Sequence, residues 1–369
     1  MGPVRGALPG DRGGDGHQVV SPPEAAGEVE RRAISTRSVV LGLVLGIPIS
    51  ALFLWLAIRG VNLGDVWAAV RDANLWLVLI AVPFANLLFV FQGLRWRHLV
   101  ATEQPLPRRA AFVALVFFGG AITNVIPGRP GDVARGVWLA RIGPLPVARS
   151  LTSVGVDRGV DVITLFGLLL ICLPFVDKPG WLVNLVIVGA VATLAAVAVL
   201  LGAWWYSTRS ATGRARADLA REDRSWLRHQ VSGIVRGLSV LSRPRDFGVA
   251  LGLSVIGWAC SIAGAWLVAT SLGIGLDVAA ITFVVGVVSL GSAIPSSPGM
   301  IGTYQWLAVT SMAVVGVSQA DALAFSILSQ ATWYIPLTLS GPFAAWWLTR
   351  YERIRKQRGI DLATASTSP

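Results

Sequence analysis

Two arginines and an aspartate directly after an apolar run are the first residues that could do chemistry. The stretch NVIPGRPGDVAR, residues 124 to 135, contains Arg129, Asp132 and Arg135. A charge inside a bilayer costs at least ~2.5–3.5 kcal/mol on insertion scales, so it needs a partner or a function. Two prolines and two glycines within residues 127 to 131 would interrupt a helix, and a protein-lined cavity can satisfy the backbone groups that this exposes. The pattern predicts a substrate site.

These charges have two interpretations. The arginines could bind a phosphate, helped by backbone N–H groups where a helix restarts after Gly131. The charges could instead neutralise one another in a structural cluster, and ion pairs that open for substrate are an intermediate case. The cluster would set three arginines against three aspartates: Arg129, Arg135 and Arg158 against Asp132, Asp157 and Asp161.

Asp157 and Asp161 are four residues apart, which places them on one face of a helix. Paired carboxylates inside a membrane could carry a proton or hold a cation. The sequence places no third metal-like ligand nearby, so anchoring the neighbouring arginines is the favoured interpretation. We expect no metal site.

A second stretch, IPSSPGMIG at residues 294 to 302, interrupts an apolar segment with polar but uncharged residues. Its hydroxyl and amide groups could contact substrate, or they could satisfy the backbone of a broken helix. In the first stretch, Asn124 could bind a headgroup or cap the helix that ends there. The remaining candidate substrate-binding residues are Gly128, Pro295, Ser296, Ser297, Gly299 and Gln305.

The composition indicates a polytopic membrane protein. Hydrophobic residues make up 54% of the 369 residues, charged residues only 14%, and the mean hydropathy is +0.65. The net charge of +11 could suggest nucleic acid, but the basic residues lie between apolar runs, so membrane topology explains them better. The Gly-rich turn lacks the Lys-Ser/Thr ending of a P-loop, and no cofactor is expected.

The apolar runs predict an all-α protein with six full spans and two re-entrant helical hairpins. The run 110–126 has 17 residues and reaches ~25 Å, less than a ~30 Å hydrocarbon core, so we interpret 110–148 as one hairpin and 277–316 as the other. Residues 60–74, between the first two spans, suggest a short surface helix. The predicted spans are 38–58, 76–94, 153–176, 181–205, 247–271 and 321–348.

Basic residues set the orientation. Of the 31 Lys and Arg residues, 28 fall in segments that this layout places in the cytoplasm or at a hairpin, so both termini should be cytoplasmic in the cell membrane, inner or plasma. The two halves then form an inverted repeat, an arrangement that holds substrate near the midplane. The expected divisions are a disordered tail 1–37, a membrane domain 38–350 with a basic loop 207–245 that carries an amphipathic helix, and a basic tail 351–369.

Four segments in this order resemble the flippase-like family that includes the membrane half of bacterial lysylphosphatidylglycerol synthases. They are QGLRW at 92–96, residues 124–135, VDRGVD at 156–161 and residues 294–302. The resemblance implies an inner-membrane protein that moves a lipid or lipid-linked intermediate between leaflets. Asp132 and Asp157 stand where the family usually has Glu, Gln305 stands where Glu is common, and Met300 takes a common Gly position.

The leading expectation is a translocator of a phospholipid or polyprenyl-phosphate-linked lipid, with Arg129, Arg135 and Arg158 holding an anionic headgroup. One alternative is a membrane enzyme that modifies a lipid headgroup with Asp157 or Asp161 as base. Another is an accessory scaffold for a cell-envelope glycosyltransferase, recruited through the loop 207–245. We expect no lysyltransferase activity and no nucleic-acid partner.

Overall fold

The computed structural model describes residues 36–100, 105–126, 130–175, 244–291 and 296–366. The predicted fourth span, nearly all of the predicted tail 1–37, residues 367–369 of the predicted basic tail and nearly all of the loop 207–245 lie outside these residues, as do Gly128, Arg129 and Pro295. The described residues form ten α-helices. They are α1 (Thr36–Ile58), α2 (Leu63–Asp72), α3 (Leu75–Leu99), α4 (Arg109–Val125), α5 (Pro130–Ile142), α6 (Val147–Cys172), α7 (Pro244–Ser271), α8 (Val278–Gly291), α9 (Thr303–Val314) and α10 (Gln319–Ser366).

The prediction of an all-helical membrane protein is confirmed for the described part of the chain. Four segments are long and apolar enough to cross a membrane: 75–99, 147–175, 245–271 and 319–357. A fifth is reached if α1 and α2 count as one span, although the chain bends by 83° between them. Each of the four overlaps a span predicted from the sequence.

The bend after α1 matches the expected short helix at residues 60–74. The Asn62 side chain caps α2 by accepting the Gly64 backbone N–H at 2.9 Å. Val66 is buried, whereas Trp67 is exposed. This two-sided helix has the composition of one that lies along a membrane interface.

Helices α4 and α5, the first helix pair, cross at two glycines. A Cβ built on Gly131 would lie 1.8 Å from the Gly119 carbonyl oxygen, and one on Gly119 would lie 2.6 Å from the Gly131 carbonyl oxygen. Side chains at these positions would therefore force the backbones apart. This close approach places the start of α5, with Asp132 and Arg135, beside the middle of α4.

In the second helix pair, α8 and α9, a tight turn directly precedes α9. Gly299 and Gly302 have φ of 67° and 93°, which glycine adopts without a Cβ penalty. Met300 between them also has a positive φ, 59°, so its backbone takes a conformation that suits the glycine implied by the family resemblance. A Cβ on Gly302 would lie 2.1 Å from the Ser50 carbonyl oxygen, so this turn packs directly on α1.

Two apolar clusters surround the polar centre of the protein. One includes Trp96, Phe112 and Leu139, from α3, α4 and α5. The other is built mainly from α7, α8, α9 and α10, with Phe283 and Phe325 fully or almost fully buried. Four helices, α3, α5, α6 and α7, bring charged and polar residues together in this centre.

Helix α10 is longer than the predicted last span. It continues from Gln319 to Ser366, so the predicted basic tail begins as helix. Arg355 in this extension donates to the Ile142 carbonyl oxygen at the end of α5. The extension therefore packs against the first helix pair.

Candidate functional site

Arg95 on α3 is the centre of a buried ion-pair network. Its side chain is 1% exposed. Nε donates to Asp157 Oδ1 at 2.8 Å, and Nη1 donates to Asp161 Oδ1 at 2.5 Å and to Ser254 Oγ at 2.7 Å. Because both aspartates lie on α6 and Ser254 lies on α7, one guanidinium ties three helices together. The predicted shared face of Asp157 and Asp161 is therefore observed.

Arg135 on α5 binds the same carboxylate from the other side. Its Nη2 donates to Asp157 Oδ2 at 3.0 Å, and its Nε donates to Asp132 Oδ1 at 3.1 Å. The guanidinium also lies over the Trp96 ring, 4.7 Å from the centroid, in a cation–π contact. Gly119 makes room for it, since a Cβ there would lie 3.2 Å from the Arg135 Cβ.

Arg158 and Asp132 form the outer edge of the network. Arg158 Nη2 donates to Asp132 Oδ1 at 2.8 Å, and Nε donates to Oδ2 at 3.0 Å. Arg158 Nη1 lies 3.7 Å from Asp161 Oδ2. The side chain of Arg158 is 46% exposed and that of Asp132 is 23% exposed, in contrast to the buried pairs around Asp157.

These six residues, Arg95, Arg135, Arg158, Asp132, Asp157 and Asp161, are called the charged cluster. Three guanidiniums against three carboxylates give a formal charge of zero, which limits the cost of burial. One donor is left over, because Arg135 Nη1 is buried without a hydrogen-bond partner among the described residues. Leaving such a donor unpaired costs free energy, so a hydrogen-bond acceptor that reached Arg135 Nη1 would stabilise the cluster.

Three residues of the charged cluster, Asp132, Arg158 and Asp161, line a cavity of about 400 Å³, the central cavity. Gln92 also lines it, and most of the other lining residues are apolar, among them Leu88, Phe89, Leu165, Val284, Val288 and Phe325. Trp258 Nε1 donates to Asp161 Oδ1 at 3.3 Å across the wall. A pocket of this size with mostly apolar walls and a few charged and polar groups is typical of a ligand site.

The second helix pair reaches the same cavity through Met300 and Tyr304. Tyr304 and Ser329 share a hydrogen bond of 3.1 Å between their hydroxyl oxygens, and Ser329 also lines the cavity. The two interrupted segments singled out in the sequence therefore contribute to one space. Asp132 represents the first segment and Met300 the second.

Gln305 holds the turn of the second helix pair. Its Oε1 accepts the Gly302 backbone N–H at 2.6 Å, and its Nε2 donates to Gln330 Oε1 at 2.6 Å. Gln330 Nε2 in turn donates to the Gly299 carbonyl oxygen at 2.6 Å. These bonds satisfy backbone groups of the turn that no helical hydrogen bond pairs, the second of the two roles considered for this stretch.

Ser296 and Ser297 pack against α1 rather than the charged cluster. The Ser297 backbone N–H donates to Ser50 Oγ at 2.7 Å, and its hydroxyl donates to the Ile301 carbonyl oxygen at 3.0 Å. A Cβ on Gly46 would lie 2.6 Å from the Ser296 carbonyl oxygen. These serines therefore fix the turn on the first helix.

Asn124 contacts α10. Its Nδ2 donates to Thr338 Oγ1 at 2.9 Å and to the Tyr334 carbonyl oxygen at 3.4 Å. The Tyr334 hydroxyl donates back to the Asn124 carbonyl oxygen at 3.4 Å. The amide thus links the end of α4 to the final helix.

Arg95, Gln92, Ser254 and Trp258 were not among the residues predicted to form the site. Span two was predicted to end at Arg95, but α3 continues to Leu99 and buries this arginine. The sequence signal for Arg95 was the segment QGLRW at 92–96, which was used only as part of the family resemblance.

The chain is similar to a known family of membrane regions and to a named relative. The sequence model described as the lysylphosphatidylglycerol synthase TM region matches residues 39–341. A protein of Haloferax volcanii named glycosyltransferase AglD is 25% identical over 273 residues, which cover 65% of this chain and 44% of that protein. The chain therefore spans less than half the length of this relative.

Proposed function

This chain belongs to the family of the lysylphosphatidylglycerol synthase transmembrane region, and we propose that it moves a lipid with a phosphate-bearing headgroup between the leaflets of the cell membrane. The family match supports a membrane lipid-related role. The observation that carries the finer proposal is the central cavity, which combines charged side chains with mostly apolar walls. An amphiphile has the same division into a charged headgroup and an apolar chain.

Arg158 is the residue that meets the headgroup. It lines the cavity and is half-exposed, and its described ion pairs are with Asp132 and, more weakly, Asp161. A phosphate offers the same planar guanidinium a bidentate acceptor, so it can replace the Asp132 carboxylate. Exchange at a partly exposed pair costs far less than breaking a buried one.

Arg95 and Arg135 position this edge rather than contact the headgroup first. Both are nearly fully buried and both bind Asp157, which is itself fully buried. Asp161, which binds Arg95, has its Oδ2 3.7 Å from Arg158 Nη1. Asp132, which binds Arg135, has its Oδ1 2.8 Å from Arg158 Nη2. Arg129, predicted as a further headgroup ligand, lies outside the described residues and remains part of the proposal.

The proposed architecture has six full spans and two re-entrant hairpins in an inverted repeat, with cytoplasmic termini. The first helix pair supports it because α4 has 17 residues and reaches ~25 Å, less than the ~30 Å hydrocarbon core. In the second pair, α8 has 14 residues and reaches ~21 Å. Both pairs contribute to the central cavity, as expected for broken segments that surround a substrate site.

Translocation is tested with purified protein in vesicles that contain phosphatidylglycerol labelled on its acyl chain with a fluorophore. Dithionite added outside bleaches only the outer leaflet unless lipids cross, so active protein should make the inner pool accessible. Labelled phosphatidylcholine and a labelled polyprenyl phosphate, run in parallel, define the headgroup. Failure to move every lipid tried would overturn the proposal.

The name of the Haloferax volcanii relative favours a second candidate, an accessory role for a cell-envelope glycosyltransferase. In that role the loop 207–245 would recruit the enzyme. Deleting the loop should then abolish function while Arg158→Gln leaves it intact. The same vesicle experiment tests the headgroup-modifying enzyme, since mass spectrometry of the recovered lipid would reveal a covalent change.

A further inference from the structure

A second pocket, separate from the central cavity, lies where the chain before α4 meets the extension of α10. Its volume is about 450 Å³. Three arginines line it, Arg108, Arg350 and Arg355, together with Trp347 and Tyr351. No acidic side chain lines it among the described residues. We call it the arginine pocket.

Two of these guanidiniums can bind an anion without first breaking an ion pair to a described carboxylate. Arg108 and Arg350 are exposed, and no described carboxylate lies within ion-pair distance of either. Arg355 is fixed differently, because it donates to the carbonyl oxygens of Ile142 and Pro105. Like charges gathered at one site repel one another, so an anion between them would be stabilised.

The residues around the pocket have the pattern of a boundary between lipid and water. On α10 the exposed apolar side chains Phe343 and Trp346 precede Arg350 by one to two turns. Trp347 and Tyr351 are stacked, with ring centroids 5.3 Å apart and an interplanar angle of 11°. Tryptophan and tyrosine concentrate at headgroup depth, where their rings meet both phases.

The pocket is also preformed. The Tyr351 hydroxyl accepts the Arg108 backbone N–H at 3.2 Å, which fixes the chain before α4 against α10. Arg97, at the end of α3, donates from Nε to the Pro107 carbonyl oxygen at 3.3 Å. These bonds hold the backbone without using the guanidiniums of Arg108 and Arg350.

We propose that the arginine pocket binds the phosphate-bearing headgroup of an anionic phospholipid from the adjoining leaflet. Arginine pairs with phosphate oxygens through short, charge-assisted hydrogen bonds. The apolar side chains of Leu106 and Ile354 in the lining favour a lipid over free phosphate. By the positive-inside tendency this end faces the cytoplasm, where bilayers carry anionic lipid. The proposal does not depend on lipid translocation.

The test is titration of the protein, in uncharged detergent, with dioctanoyl-phosphatidylglycerol, followed by thermal unfolding and by native mass spectrometry. The Arg108→Gln/Arg350→Gln variant should bind this lipid about tenfold more weakly. The matched control is Arg353→Gln/Lys356→Gln, which loses two charges from the same end of α10 but changes no residue of the pocket. It should bind as the native protein does.

Three results would overturn the proposal. Equal losses in the two double variants would mean that only the general positive charge of this surface attracts the lipid. A loss confined to Arg158→Gln would assign the bound lipid to the central cavity alone. Stabilisation of the native protein by inorganic phosphate as strong as that by the lipid would assign the pocket to a soluble anion. Dioctanoyl-phosphatidylcholine should have little effect.

Discussion

Arg158 Nη2 lies 2.8 Å from Asp132 Oδ1, and this pair lines the central cavity together with Asp161. The pairs behind it are buried, since Arg95, Arg135 and Asp157 are each at most 2% exposed. The cluster therefore has a fixed interior and an accessible edge. The interior should govern stability and the edge should govern substrate binding.

Arg95→Met should destabilise the protein strongly. It leaves Asp157 and Asp161 without the guanidinium that binds both, and breaking a buried ion pair costs about 3–5 kcal/mol. Unfolding of the purified protein in detergent measures the loss. The control Arg97→Met removes an arginine two residues along the same helix. Among the described residues its side chain makes one hydrogen bond, from Nε to the Pro107 carbonyl oxygen at 3.3 Å, so the change should cost less than about 1.5 kcal/mol. Equal losses would show that Arg95 is not an anchor.

Gly131→Ala should disrupt the first helix pair. The added Cβ would lie 1.8 Å from the Gly119 carbonyl oxygen, so the backbones must move, at a cost of about 1–3 kcal/mol or more. Gly155→Ala on α6 is the control, because nothing lies within 4 Å of its Cβ. Alanine there should stabilise the helix by about 0.5–1 kcal/mol. Similar melting temperatures for the two variants would refute the close crossing.

Gln305→Leu should cost about 1–3 kcal/mol. It leaves the Gly302 N–H and the Gln330 Oε1 without their partner in a buried turn. Thr310→Val, on the same helix and half-buried, replaces a hydroxyl that makes no hydrogen bond among the described contacts and should be nearly neutral. Thermal unfolding of both variants checks this, and a neutral Gln305→Leu would show that other groups hold the turn.

The proposed re-entrant topology of the first helix pair predicts that residues 105 and 146 lie on one side of the membrane. Single cysteines are introduced as Pro105→Cys and Pro146→Cys after Cys172 and Cys260 are replaced by alanine. Both positions are exposed at the ends of the pair. A membrane-impermeant maleimide should label both from the same side. Labelling from opposite sides would mean that the pair crosses the bilayer.

The sequence located most helices but not their contacts. The apolar runs predicted the positions of α3, α6, α7 and α10, because bilayer thickness fixes the length of a span. Helical spacing placed Asp157 and Asp161 on one face, and both bind Arg95. Local patterns of this kind depend on neighbours in the chain, so they can be predicted.

Contacts between distant segments could not be predicted in this way. Arg95 follows an apolar run and has the position of an interfacial charge, yet 62 residues of chain separate it from its partner Asp157. Asn124 and Thr338 are 214 residues apart. Such pairs are determined by how whole helices pack against one another. The periodicity of a single sequence does not indicate that packing. The one signal for Arg95 was the motif at 92–96 that carries the family resemblance. No physical pattern in the sequence indicated that Arg95 is buried.

The most direct test of the account compares lipid translocation by Arg158→Gln, Asp132→Asn and the Arg158→Gln/Asp132→Asn double variant in the vesicle assay. The double variant keeps the charged cluster neutral, so it should fold and unfold much as the native protein does. If Arg158 binds the headgroup phosphate, Arg158→Gln and the double variant should both lose translocation by about tenfold or more, while Asp132→Asn retains it. A double variant that moves lipid at the native rate would contradict the account, because the pair would then serve only to neutralise charge.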